Sequence, residues 1–356
     1  MLQGEDVIGG EEVTESGAPA QLSSAPMQAE EGRATRGVAP ASKLPWPTQL
    51  AVPIAALLAL GVHLLFSKRT PPVETHSYIL LFWEIIGGSI VLAVAQRFWA
   101  GLRRWMRHMC PIFTAAILLL CVWDLITLGF RLLPLPYFPG PAAVLRSLID
   151  DRALLFDSTW HSLFLLLSGY TLGVIAGLIS GICIGWSSPV RYWGMPILKV
   201  VGPIPATAWI PLAMVVSPSA IVSAAGLIGL AVWFPVTMLT ASGISNTRAS
   251  YLDVARTLGA GPGYLIFRVA IPAAIPNIFI GLFMGLGASF LTLVVAESVG
   301  VKSGLGWYVS WAQGWAEYGK VFAALILMAA FFSTLMTLLF KVRDHVLVWQ
   351  KGVIKW

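Results

Sequence analysis

The chain has 356 residues, 57% of them hydrophobic and 11% charged, with a mean hydropathy of +0.79. A soluble domain carries roughly 25% charged residues. This balance therefore excludes an ordinary water-solvated fold and predicts an all-α membrane protein, a polytopic helical bundle. The net charge of +6 is unevenly spread: residues 1–49 hold seven acids against three bases, −4, which leaves +10 for the remainder. In a membrane chain such a basic excess reports loop orientation rather than nucleic-acid binding, because Lys and Arg stay on the cytoplasmic side.

The first 49 residues are acidic and rich in Ala, Gly, Pro and Ser. They lack the basic start and apolar run of a signal peptide, and they bury too little apolar surface to offset chain entropy. A disordered tail is predicted there. Apolar segments of about 20 residues, the length that crosses a bilayer, follow at 50–66, 78–99, 111–131, 160–186, 194–216, 221–243, 273–298 and 321–340. About eight transmembrane helices are thus predicted, with both termini on one side. Placing those termini in the cytoplasm puts sixteen Lys and Arg inside and seven outside, the favoured orientation. The three cysteines, Cys110, Cys121 and Cys183, lie in or at the edge of apolar segments without metal-ligand spacing and read as packing thiols.

Two spans carry packing patterns. Gly169, Gly173, Gly177, Gly181 and Gly185 recur every fourth residue in the fourth span, and Gly281, Gly285 and Ser289 do so in the seventh. Small residues at this interval let helix backbones approach closely in lipid. The fifth span is interrupted by Gly202, Pro203, Pro205 and Pro211. Non-helical backbone at membrane depth is tolerated only against protein or a watery cavity. Pro203 and Pro205 are therefore pathway candidates, weighed against a plain kink.

Between the sixth and seventh spans lies a polar stretch, Thr247 to Pro272. Ser250 to Leu258 predict an amphipathic helix with Tyr251, Leu252, Val254, Ala255 and Leu258 on its apolar face, and Asp253 and Arg256 on the polar side. Asp253 near its start and Arg256 near its end suit the helix dipole. Gly259 suits a left-handed stop, and Gly261-Pro262-Gly263 then breaks the chain. Such a helix could lie on lipid headgroups or dock a partner protein.

These residues resemble the cytoplasmic motif of bacterial ABC importer permeases: Glu-Ala-Ala, a Gly six positions after the Glu, and an apolar-x-apolar-Pro ending. Here the pattern reads Asp253-Val254-Ala255, Gly259, and Val269-Ala270-Ile271-Pro272, with Asp in place of Glu and Val in place of the first Ala. Residues 111–350 are similar to the nitrate, sulfonate, taurine and bicarbonate group of these type I permeases. The supporting phrases are Leu135-Pro136 with Pro139-Gly140-Pro141, then Gly202-Pro203-Ile204-Pro205, and Ala296-Glu297 with Gly304-Leu305-Gly306.

The resemblance implies a permease, with no ATPase site of its own, that imports a small oxyanion or sulfonate across the bacterial inner membrane. It implies a likeness to homodimers whose loop helix (Tyr251, Leu252, Asp253, Ala255, Arg256, Leu258, Gly259 and, at the motif's end, Pro272) sits on a cytoplasmic ATPase subunit carrying ATP-Mg. A periplasmic or lipid-anchored binding protein would deliver the solute. The domain division that follows is a tail at 1–49, an additional two-span hairpin with a basic loop at 50–109, and a permease domain at 110–345. That domain has its core at 156–340 and its coupling loop at 244–272, and a cytoplasmic tail follows at 346–356. The hairpin and the acidic tail lie outside the usual six-span core.

No phosphate-cradling Gly-rich loop ending in Lys-Ser or Lys-Thr occurs in the sequence, which agrees with ATP hydrolysis on another chain. No cofactor or metal is expected here. Ionisable groups within spans are functional suspects by default: Glu84, expected to pair or snorkel; Asp124, expected to satisfy a Trp or Ser; and Glu297, expected to act in structure or gating. His161, at a span end, reads as an interfacial residue. An ion-coupled secondary transporter is the alternative, but it predicts paired midplane charges and repeated halves. An intramembrane enzyme would need clustered His, Ser or acids, and the five His are scattered.

Overall fold

The computed structural model describes residues 46–67, 76–96, 98–130, 132 and 136–349. The expectations for the acidic tail up to residue 45, for Lys68, Arg69, Arg97, Arg131 and Leu135, and for 350–356 lie outside the described residues. Among the described residues the helices in chain order are α1 (Trp46–Ser67), α2 (His76–Ala95), α3 (Ala100–Asp124), α4 (Pro141–Asp150) and α5 (Arg152–Trp186). Then come α6 (Ser188–Val201), α7 (Ile210–Val216), α8 (Ala220–Ser245), α9 (Ala249–Thr257), α10 (Pro262–Tyr264), α11 (Ile271–Val299), α12 (Leu305–Gly314) and α13 (Tyr318–Val346).

Six helical stretches among them are long and apolar enough to cross a membrane: His76–Ala95, His108–Gly129, Arg152–Trp186, Ala220–Ser245, Pro262–Val299 and Tyr318–Val346. A seventh is counted if α6 and the helical segment Ala206–Val216, bent by 84° relative to each other, form one span. The span expected at 50–66 is a shorter apolar helix, Leu50–Phe66. The short helices α4 and α12 were not foreseen, because ten-residue helices lack a bilayer-length signal.

Local chemistry sets several boundaries. Pro141 opens α4 after an extended Gly140, where its missing N–H falls on a position with no intrahelical acceptor. Ser219 caps α8 by accepting the Val222 N–H at 3.3 Å. The last part of the coupling loop read at 244–272 is helical from Pro262, passing through a wider, π-type turn at Leu265–Ala270 into α11. Pro272 lacks the N–H that a regular turn would donate four residues back, and the widened turn immediately precedes it.

The centre of the bundle is α8, held between α5 and α11. On α5 the five glycines of the ridge face Ile228, Val232, Val236, Thr240 and Ile244 of α8, the same four-residue interval read on both helices. A Cβ on Gly177 would stand 2.8 Å from Val236 Cβ, one on Gly181 2.6 Å from Thr240 Cβ, and one on Gly173 would strike the Gly229 carbonyl. Gly281 and Gly285 of α11 meet α8 at Pro235 and at the same Val232 and Val236, so these two valines touch both neighbours. Two polar groups in this layer are paired between helices: Trp233 Nε1 donates to Ser180 Oγ at 3.0 Å, and Tyr170 OH donates to the Leu282 carbonyl at 3.0 Å.

Candidate coupling and pathway sites

Helix α9 follows α8 after a link of three residues and buries none of its side chains. Tyr251, Val254 and Leu258 are 53%, 61% and 83% exposed, so the apolar face predicted there has no cover among the described residues. Leu252 and Ala255 are half-buried. Asp253 and Arg256 form an exposed ion pair at 2.9 Å, a contact worth little by itself. The stop is a Schellman motif: Ala260 N–H donates to the Ala255 carbonyl at 3.0 Å and Gly259 N–H to that of Arg256 at 2.9 Å. Gly259 sits at φ +84°, where a side chain is strained. Beside the helix lies a cleft of about 490 Å³ lined by Tyr251, Val254, Leu258, Tyr264 and Arg268, among others. Pro272 is outside that lining, at the start of α11.

The break in the fifth predicted span opens on a second cavity, of about 320 Å³. Gly202, Ile204, Pro205 and Thr207 form one wall, Phe234 and Pro235 of α8 another, and Met284, Ala288 and Thr292 of α11 a third. Pro205 lines it. Pro203 does not, and is exposed at the turn. Gly202 rests on Phe234 so closely that a Cβ would overlap the ring. Among the described residues the lining carries no charged side chain.

Glu297 is buried near the end of α11, away from that cavity lining. Its Oε1 accepts the Ser162 hydroxyl at 2.7 Å and its Oε2 the Gly306 N–H at 2.8 Å. Ser162 Oγ in turn accepts the Leu305 N–H at 2.8 Å. Gly304 lies against the carboxylate at φ +100°, where a Cβ would strike it. The geometry makes Glu297 an anchor that folds the chain after α11 back against α5. Sequence reading missed Ser162, although it sits seven residues before Gly169 and so on the same helix face. At the same end, Tyr308 OH donates to Asp151 Oδ2 at 2.7 Å, and Lys320 Nζ bridges Asp151 at 3.2 Å and Glu317 at 2.8 Å. Burial, followed by the bond to Asp151, raises the Tyr308 phenol above its ordinary range.

A family model described as binding-protein-dependent transport system inner membrane component matches residues 169–346, from the first glycine of the α5 ridge to the end of α13. The chain belongs to this family. It is the permease subunit of a bacterial ABC importer, which works with a separate ATPase. A probable ABC transporter permease protein of Haemophilus influenzae is 31% identical over 226 residues, covering 63% of this chain and 91% of the relative. The putative aliphatic sulfonates transport permease protein SsuC of Bacillus subtilis is 32% identical, covering 59% and 77%. The taurine transport system permease protein TauC of Escherichia coli is 31% identical, covering 61% and 81%. Membership displaces the reading as an ion-coupled secondary transporter.

The permease match starts within α5, so α1 to α4 lie outside it. There the expectation for Asp124 is corrected: its Oδ2 meets His63 Nδ1 of α1 at 2.7 Å, both residues buried, rather than a Trp or Ser. The edge of Tyr78 on α2 packs on the His63 ring with centroids 4.7 Å apart. Long-range pairing of this kind leaves no local sequence signal. Glu84 is exposed on α2. His161 is half exposed, its Nδ1 2.9 Å from the Asp157 carbonyl, as an interfacial residue would be.

Proposed function

We propose that this permease carries a small oxyanion or sulfonate inward through the cavity between the α6–α7 break, α8 and α11, and that α9 receives the ATPase subunit. The observation that carries this reading is α9 itself: a capped helix, joined by three residues to a cavity-lining helix, whose apolar face is bare. An interfacial helix in lipid could also present such a face. The motif from Asp253 to Pro272 and the cleft beside α9 favour a protein partner. Tyr251, Leu252, Asp253, Ala255, Arg256, Leu258 and Gly259 would then form the docking surface, and Pro272 would fix where α11 starts beneath it. ATP-Mg would be bound by the ATPase and not by this chain.

The same reading assigns eight crossings, counting the short α1 and the broken α6–α7 pair once each, with both termini cytoplasmic. It divides the chain into the tail 1–49, the hairpin 50–109, the permease domain 110–345 and the C-terminal tail 346–356. Pairing of two copies and delivery by a periplasmic or lipid-anchored binding protein belong to it too. The substrate class rests on the sulfonate and taurine relatives. An uncharged cavity lining suits a pathway that releases an anion rather than one that holds it, since a fixed counter-charge would deepen the well.

Co-expression with a candidate ATPase subunit tests the docking. Deleting Tyr251 to Gly259, or changing Gly259→Pro, should abolish ATPase co-purification and uptake while the chain still inserts. Retention of both would sink the proposal. Mass spectrometry of the ligand held by the co-purified binding protein identifies the substrate, and a cationic ligand would contradict the class proposed.

A further inference from the structure

Arg191, in the first turn of α6, is bonded to the ends of two other helices. Its Nε donates to the Ile184 carbonyl at 3.1 Å and its Nη2 to the Gly185 carbonyl, both in the last turn of α5. Nη2 also donates to Ser245 Oγ, the last residue of α8, at 2.8 Å, and Ser245 Oγ donates to the Gly185 carbonyl at 3.2 Å. Carbonyls in a last helical turn have no intrahelical partner and carry the negative end of the dipole, so a planar cation with several fixed donors suits them.

What lies at each end of these elements matters. From Ser245 only Asn246, Thr247 and Arg248 separate α8 from α9, and that link is stiffened by Asn246 Nδ2 donating to Ser242 Oγ at 3.2 Å. From Arg191, α6 runs along α8 with Leu198 buried against Ile184 and Ala241, and it ends where Gly202 rests on Phe234. Gly194 sits against Ile184, where a Cβ would stand 2.8 Å away, so α6 has no slack on that side. The eleven residue steps from Arg191 to Gly202 span roughly 16 Å of helix axis. At the far end lie Ile204, Pro205 and Thr207, a wall of the cavity.

We infer that Arg191 is a positioning residue for transport: through Ser245 it links the end of α8 that carries α9 to α6, whose far end forms a cavity wall. The inference rests on the docking role proposed for α9. A displacement of α9 that pulls Ser245 moves the Arg191 end of a helix with no slack, and the break at Gly202 to Pro205 takes up the motion as a hinge. Without the bridge, α8 and α6 are joined there by apolar contacts alone, which permit sliding.

The test uses the full chain with its ATPase in membrane vesicles. Cys110, Cys121 and Cys183 are replaced by Ala and Thr207→Cys is added, and labelling by a water-soluble maleimide is followed with and without ATP and vanadate. The unaltered bridge should give a nucleotide-dependent change in labelling rate. Arg191→Ala and Ser245→Ala should each shrink that change about fivefold or more, the low end of a coupling free energy between sites, while the ATPase still co-purifies and hydrolyses ATP. Arg191→Lys, which keeps a cation at the same carbonyls, should recover part of it. Ser245→Ala removes one bond to the Gly185 carbonyl but leaves both bonds from Arg191 to α5 in place, so capping of α5 by Arg191 alone would leave most of the change in that variant. An undiminished change in either alanine variant, with ATPase bound, overturns the inference alone. Failure of the ATPase to bind the unaltered chain overturns the docking role and this inference together.

Discussion

Ser162 donates its hydroxyl to Glu297 at 2.7 Å across 135 residues of chain, and accepts the Leu305 N–H with the same oxygen. One hydroxyl therefore ties α5 to the end of α11 and to the start of α12. Buried groups of this kind cost most when one partner is removed and the other is left dry.

Glu297→Ala should be more destabilising than Glu297→Gln, because it strips the acceptor from both the Gly306 N–H and the Ser162 hydroxyl. The loss is about 1–3 kcal/mol for each stranded group. Thermal unfolding of the detergent-solubilised chain checks the order. Gly304→Ala should be damaging as well, since its Cβ would strike the carboxylate from a left-handed backbone.

His63 and Asp124 make a second dry pair, at 2.7 Å. Either single change, His63→Ala or Asp124→Ala, should cost on the order of 3 kcal/mol, and the double change should cost clearly less than the sum of the two. A double-mutant cycle on unfolding midpoints reads the coupling directly. Additive losses would contradict the pairing.

Two helical glycines, one on α5 and one on α8, should respond oppositely to alanine. Gly173 on α5 abuts the Gly229 carbonyl, so Gly173→Ala forces the helices apart at about 1–3 kcal/mol. Gly226 on α8 has open space where a Cβ would go, and Gly226→Ala should be neutral or stabilising by up to about 1 kcal/mol. Unfolding midpoints of the two variants, measured side by side, decide it.

On α9 function and stability should separate. Val254→Asp alters an exposed side chain, so its effect on unfolding should stay within about 0.5 kcal/mol. The same change should eliminate ATPase co-purification by burying a charge in the interface. Gly259→Ala, at φ +84°, should cost about 1–2 kcal/mol locally and weaken binding without abolishing it. Pull-down yields set against thermal shifts provide the comparison.

Much of the site was legible because its signals are local. The amphipathic face from Tyr251 to Leu258, the stop at Gly259 and the break around Pro203 and Pro205 each depend on neighbouring residues. The backbone follows them to within a residue or two: α9 spans Ala249–Thr257, and α6 ends at Val201. The extent of the polar loop was misjudged, because a π-type turn before Pro272 carries the helix back to Pro262, and such turns leave no hydropathy signal.

By itself the sequence determined that the chain lives in a membrane, where its apolar segments lie, that one helix outside them is capped and two-faced, and which spans have a small-residue face. Each follows from composition or from a periodicity of a few residues. Only the tertiary structure decided that the α5 glycines fit Ile228 to Ile244 of α8, that Asp124 meets His63, that Glu297 holds Ser162 and Gly306, and that Arg191 joins three helix ends. Those pairings join residues far apart in the chain, and in a low-dielectric interior each polar group takes whichever partner the packing of helices brings within reach.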